Sequence, residues 1–203
     1  MRQLTAADIL DQEVGKDVPR IVNFQASVRP QVIQPLVELF THWAHEGVKN
    51  VHMHISSPGG SVRTGLDFHA FLRSLPLDLT THNAGSVDSI ANVIYLAGKM
   101  RYALANSRYL FHGVKRSFDN PLDLTEADLR RYLEYTLRDH ASIAHVIASR
   151  SKMTVAEIKR AFRNERILSV AEAKEREIVH EIKELPIPEG APIFNVFNSN
   201  GKD

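Results

Sequence analysis

The sequence predicts an α/β domain with crossover connections, and three observations carry that reading. Short runs at 20–24, 51–55 and 77–83 alternate or are rich in branched residues, the pattern of strands. Between them, apolar residues recur at spacings of three and four, the pattern of amphipathic helices. Glycine- and proline-bearing turns separate the two kinds of segment.

The 203 residues suit one domain with a real core. At 43% apolar and 24% charged, the composition is that of an ordinary globular chain. A net charge of +1 supplies no basic field, so no nucleic-acid partner is expected. The absence of cysteine excludes disulfides, thiolate catalysis and cysteine metal sites together. The opening stretch MRQLTAADILDQEVGKD is too polar for a signal peptide. No apolar run reaches the roughly 18 residues that a membrane helix needs. A soluble, cytoplasmic protein without a membrane partner is expected.

In chain order, residues 1–19 are expected as an N-terminal arm, and RIVNF (20–24) as a strand. From Pro30 a helix is expected, with Val32, Ile33, Leu36, Val37, Phe40 and Trp43 on one side and a stop at Gly47. VHMHI (51–55) alternates strictly, putting Val51, Met53 and Ile55 on one face. After the SSPGGS loop, residues 62–75 have a helical pattern. LDLTTHN (77–83) is a strand, and Gly85 is expected to turn the chain. SIANVIYLAG (89–98) is apolar nearly all round and predicts a buried helix.

RYALA (101–105) and RYLFH (108–112) predict two more strands. A long helix should run from Thr125 to about Ser151, with Thr125 and Asp128 as a capping box. Thr154 with Glu157 and Ser169 with Glu172 are further boxes, and EIVHEI (177–182) predicts a last strand. The domain proper is expected over 20–185. Beyond it, residues 186–203, rich in Pro, Gly and Asn, are expected as a tail whose Phe194 and Phe197 pack onto the domain surface or a neighbouring subunit.

Three stretches could carry chemistry. In ISSPGGSV two adjacent glycines follow a strand and precede a helix, so backbone amides and the helix N-terminus could hold an anion or a transient oxyanion. A simple turn explains the glycines equally. Neither a Walker-type phosphate loop nor Gly-x-Gly-x-x-Gly is present. In GSVDSIAN, Ser89 stands between a strand and a buried helix, where a nucleophile can sit beside the Ile90 amide. It could instead be a helix N-cap, as could Ser86 or Asp88. His112 ends a strand just before Gly113, in reach of a cleft as a general base. His52 and His54 share a strand face and could ligate a metal, but no third ligand is apparent.

SPGGSV (57–62), Ser89, LAG (96–98) and NSRYLFH (106–112), in this order, resemble the proteolytic subunit of the Clp protease, ClpP. RILSVAEAKEREIVHEI resembles that family's Arg-Phe-Leu-Ser segment, acidic helix and closing strand. The resemblance covers roughly residues 20–182. It implies a ClpP/crotonase-type fold: a spiral of β-β-α units with a projecting helical handle, here near 125–151. It also implies a serine endopeptidase acting on unfolded polypeptide, with no cofactor, in a homo-oligomeric ring that an AAA+ unfoldase can feed. Residue by residue, Ser89 would be the nucleophile, His112 its base, Gly60 and Ile90 the oxyanion donors. Glu165 stands where the family has an aspartate, with Asn164 beside it.

The chain departs from the family pattern at Glu165, at Asp88 next to the nucleophile, and at GVKRSFDNPLDL, which has one glycine where the family has a glycine-rich strand. Those departures keep open a weak or inactive ring subunit. An acyl-CoA hydratase or isomerase on the same fold would share the two-amide oxyanion site. A Ser-Lys signal-peptidase relative would need a membrane anchor that the sequence does not predict.

Overall fold

The computed structural model describes residue 15, residues 17–117 and residues 123–198. The N-terminal arm expected over 1–19 lies largely outside them. The described chain forms strands β1 (Arg20–Gln25), β2 (Asn50–Ser57), β3 (Asp78–Asp88), β4 (Met100–Ala103), β5 (Arg108–Phe111), β6 (Arg166–Ser169), β7 (Glu181–Ile182) and β8 (Ile193–Phe197). Helices α1 (Pro30–His45), α2 (Val62–Ser74), α3 (Ala91–Tyr95), α4 (Glu126–Ser149), α5 (Val155–Arg163) and α6 (Val170–Glu175) connect them.

The strands make one sheet in the order β6-β5-β3-β2-β1-β8, with β4 on β3 and β7 on β4. All pairings are parallel except β5 with β6. Val51, Met53 and Ile55 are buried on one face of β2, as its alternation predicts. Against that core α1 buries Ile33, Leu36, Leu39, Phe40 and Trp43. Burying one such side chain contributes about 1.5–3 kcal/mol, so the stripe fixes the helix on the sheet.

β3 positions the site. Its first half pairs with β4 (Thr80↔Met100 to Asn83↔Ala103) and its second half with β5 (Ser86↔Arg108 to Asp88↔Leu110). Between the halves the register against β2 slips: Ile55 faces Asn83, but Ser57 faces Val87. Gly85 therefore does not turn the chain. It sits in a bulge, where its amide donates to Asn83 Oδ1 at 3.0 Å and a Cβ would lie 3.3 Å from Ser56 Oγ.

Other expectations shift as well. The buried helix expected over 89–98 contracts to Ala91–Tyr95. Thr81 Oγ1 donates to the Tyr95 carbonyl at 2.7 Å, and a Cβ on Gly98 would meet Thr81 Oγ1. The strand expected over 177–182 keeps only Glu181 and Ile182, because Glu177, at φ 53, turns the chain after α6. The tail supplies β8, which pairs with β1 from Ile21↔Ile193 to Gln25↔Phe197. Phe194 and Val196 enter the core, while Phe197 stays exposed.

All three predicted capping boxes form, at Thr125, Thr154 and Ser169. The handle α4 buries only Ile143, Ala144 and Ile147, near its C-terminal end. Its earlier turns expose Leu129, Leu133 and Leu137.

Candidate active site

Two glycines form the floor of the site. Val28 N–H donates to the Gly59 carbonyl and Ser61 N–H to the Val28 carbonyl, each at 2.8 Å. That bridge turns the Gly60 amide away from Val28, and among the described residues it has no acceptor. Gly59 and Gly60 have φ of 87° and 150°. A Cβ on Gly60 would meet the Val28 carbonyl oxygen, and one on Gly59 would lie 2.7 Å from Ser89 Cβ. Glycine is required at both positions by backbone conformation and by close approach.

Ser89 follows β3 at φ 58°, a left-handed conformation that serine adopts at a cost of about 1–2 kcal/mol. An N-cap residue has extended backbone and a side chain that accepts from the first turn. Ser89 has neither feature: Ile90 is the N-cap of α3, with no side-chain cap. Ser86 and Asp88 do not cap α3 either. The Ser86 hydroxyl donates to Asp88 Oδ1 at 2.7 Å and accepts from Arg108 Nε at 3.2 Å. This chain engages the Asp88 carboxylate with Ser86.

The turn is tied to the strand that leads to the histidine. Ser89 N–H donates to the Leu110 carbonyl at 2.8 Å. Asn92 Nδ2 donates to the Ser89 carbonyl at 3.0 Å and to the Leu110 carbonyl at 2.9 Å. Asn92 is buried in α3 and was not singled out from sequence, where it is only a polar residue inside an apolar run. The Ile90 amide, like that of Gly60, has no acceptor among the described residues.

Gly60, Ser89, Ile90 and His112 line one cavity of about 240 Å³, together with Val62, Phe111, Ile143 and Phe162. His112 Nδ1 lies 2.7 Å from the carbonyl oxygen of Gly113. A carbonyl only accepts, so the proton of the neutral ring is on Nδ1 and Nε2 keeps its lone pair. That is the tautomer a general base needs. Among the described residues no hydrogen bond joins Ser89 to His112. Free enzymes commonly hold this contact long and close it on substrate.

Glu165 is not brought to His112. It occupies the left-handed position after α5, at φ 46°. Its carboxylate pairs with Lys115 Nζ at 3.2 Å, both side chains being well exposed (60% and 70%). At this left-handed turn the carboxylate faces solvent. Asn164 is the C-cap of α5, and among the described residues no hydrogen bond joins its side chain to His112.

The segment after His112 is held from the side. Gly113 N–H donates to the Phe162 carbonyl at 3.1 Å, and Val114 N–H to His140 Nε2 at 2.8 Å. Arg116 donates to Thr136 Oγ1 at 2.9 Å and to Asp139 Oδ2 at 2.7 Å.

A model of the Clp protease family matches residues 13–185. The chain belongs to that family. The ATP-dependent Clp protease proteolytic subunit of Cyanophora paradoxa is 27% identical over 170 residues, 80% of this chain and 84% of the relative. Proteolytic subunit 2 of Corynebacterium efficiens is 24% identical over 193 residues, 94% of this chain and 92% of the relative. A solved structure of a ClpP1 mutant from Listeria monocytogenes superposes with a TM-score of 0.66 over 82% of this chain and 92% of that one, at 23% identity. The α/β architecture is therefore the ClpP fold, and this Clp protease family member has no helix among the described residues long and apolar enough to cross a membrane.

The histidines on the sheet are a separate group. His82 joins His52 and His54, its Nδ1 lying 3.3 Å from that of His54 and its Nε2 3.0 Å from the Lys183 carbonyl. Burial, reinforced by His82 and His52, lowers the His54 pKa to about 4. Among the described residues no group of three or more such side chains is arranged to hold a metal ion.

Proposed function

We propose that this Clp protease family member is a serine endopeptidase with Ser89 as nucleophile and His112 as general base. One observation supports the reading above all. A serine in a strained left-handed turn, its hydroxyl without a hydrogen bond among the described residues, shares a cavity with a histidine and two unpaired amides.

In this mechanism His112 Nε2 takes the Ser89 proton as Oγ attacks a peptide carbonyl, then returns it to the leaving amine. The Gly60 and Ile90 amides receive the oxyanion, and losing one such donor costs about 2.7–4 kcal/mol of transition-state stabilisation. The Gly113 carbonyl keeps the base in its working tautomer. Being neutral, it stabilises the imidazolium less than a carboxylate would. Glu165 contributes its charge through Lys115, which lines the cavity. Val62, Phe111, Ile143 and Phe162 give the cavity an apolar wall suited to a hydrophobic side chain.

By family, the substrate is unfolded polypeptide, the assembly a homo-oligomeric ring, the partner an AAA+ unfoldase and the site of action the cytoplasm. The test is labelling with a fluorophosphonate, with Ser89→Ala as control. Covalent labelling that disappears in the variant is expected. Labelling that survives Ser89→Ala, or never occurs in the parent, ends this reading. Turnover of an enoyl-CoA panel without peptide cleavage would favour the hydratase chemistry instead.

A further inference from the structure

We propose that His140, on the handle helix, is the positioning residue for His112, acting through the one peptide group that joins Gly113 to Val114. The inference rests on the assignment of Ser89 and His112 above. The carbonyl of that peptide accepts from His112 Nδ1 at 2.7 Å, and its N–H donates to His140 Nε2 at 2.8 Å. Both ends belong to one rigid plane. Rotation of the His112 ring is thus coupled to where His140 stands, and the two hydrogen bonds polarise each other. The triad's orienting place is filled by a histidine across a peptide, while Glu165 pairs outward with Lys115.

The approach is built in. A Cβ on Gly113 would lie 3.3 Å from His140 Nε2, so a larger residue would wedge the two apart. His140 packs on the Phe162 ring with centroids 5.4 Å apart, and Gly113 N–H is held by the Phe162 carbonyl.

The link works only while His140 is neutral, because its Nε2 must accept. Burial lowers its pKa below the ordinary 6.5; Asp139 opposes and Lys159 reinforces that shift. Lys159 and Arg163 of α5 line a cavity of about 570 Å³ with His140. The cations on the His112 side are engaged, Lys115 by Glu165 and Arg116 by Asp139. Above its pKa, His140 accepts from Val114. Below it, Nε2 carries a proton, two donors face each other, and the peptide is free to turn away from His112.

The experiment follows the rate of fluorophosphonate labelling on the full chain from about pH 5 to about pH 9. His140→Phe keeps a ring but removes the acceptor, and should slow labelling by about 10- to 100-fold, within what a general base supplies. His140→Gln keeps an acceptor that does not titrate. It should label within about threefold of the parent at neutral pH and lose less rate in acid, because protonation of His140 can no longer break the link. The proposal is overturned if His140→Phe labels like the parent, if His140→Gln keeps the parent's acid limb, or if Glu165→Gln abolishes labelling while His140→Phe does not. Should the parent itself fail to label, the Ser89 assignment falls, and NMR of 15N-histidine-labelled protein still decides this one. The expected protons are on Nδ1 of both His112 and His140, with a changed His112 tautomer mixture in His140→Phe. An unchanged His112 in that variant overturns the proposal.

Discussion

Ser89 and its two amides are held by backbone, whereas His112 is held largely by side chains. On the nucleophile side, the Val28 bridge, the Gly59 and Gly60 conformations and the Leu110 carbonyl fix the geometry, helped by two side chains: Asn92, and Ser57, whose hydroxyl accepts from Gly59 N–H at 3.2 Å. On the base side, the segment after His112 is held by His140, which accepts from Val114 N–H, by Thr136 and Asp139 of the handle through Arg116, and by Glu165 through Lys115. The difference teaches that the oxyanion site is a property of the sheet, while the base is a property of how the handle sits on it. Backbone-held geometry fails abruptly on substitution, and side-chain-held geometry adjusts with charge and pH.

The largest effect should come from adding a methyl group to the floor. Gly60→Ala places Cβ against the Val28 carbonyl oxygen in a conformation alanine rarely adopts. A loss of about 3 kcal/mol is expected, read as a melting temperature some 6–12 °C lower, together with loss of fluorophosphonate labelling. A shift below about 1 kcal/mol would break the claim that backbone holds this half.

Asn92→Ala comes next, because it removes the buried side-chain donor that the Ser89 and Leu110 carbonyls share, leaving each only a backbone amide. Denaturant titration should show about 1–3 kcal/mol lost, with slower labelling. An unchanged midpoint would mean that the nucleophile turn does not need the Asn92 clamp.

On the base side, Arg116→Ala removes a partly buried pair to Asp139 and a bond to Thr136. It should cost about 1 kcal/mol or less, but slow labelling several-fold in a salt-dependent way. Labelling insensitive to both the substitution and salt would show that the segment is held by backbone after all.

The smallest effect concerns Glu165. Glycine fits its left-handed φ of 46° without strain, and the ion pair lost with it is solvent-exposed. Glu165→Gly should raise stability by up to about 1 kcal/mol in the same titration. Destabilisation beyond that range would reveal a contact of the carboxylate that the exposed pair with Lys115 does not account for.

Legibility in the sequence followed the same division. The glycine pair, Ser89 and His112 could be singled out as candidates from their neighbours along the chain, since strand alternation and glycine turns are signals a few residues long, but only the resemblance to the ClpP family gave them roles. Gly85 misled because a glycine in a bulge and a glycine in a turn look alike without the partner strand, here β2 with its slipped register. The tail strand was hidden by its Pro, Gly and Asn flanks, although Phe194 and Val196 carry the alternation that marks it. Glu165 took the acid's place in the order of residues, but order does not say where a carboxylate points.

By itself the sequence determined the α/β class, most helix starts and the buried faces, because each is a local or periodic pattern, while the candidate nucleophile and base rested on the order of motifs that resembles the ClpP family. Only the tertiary structure decided that Ser89 is a strained turn residue and not a cap, and that Glu165 faces Lys115. It alone set His140 against the peptide that orients His112, across 26 residues of chain. The physical reason is that hydrogen bonds between distant segments depend on how a helix packs on a sheet, a geometry set by the whole core and written in no short stretch of residues.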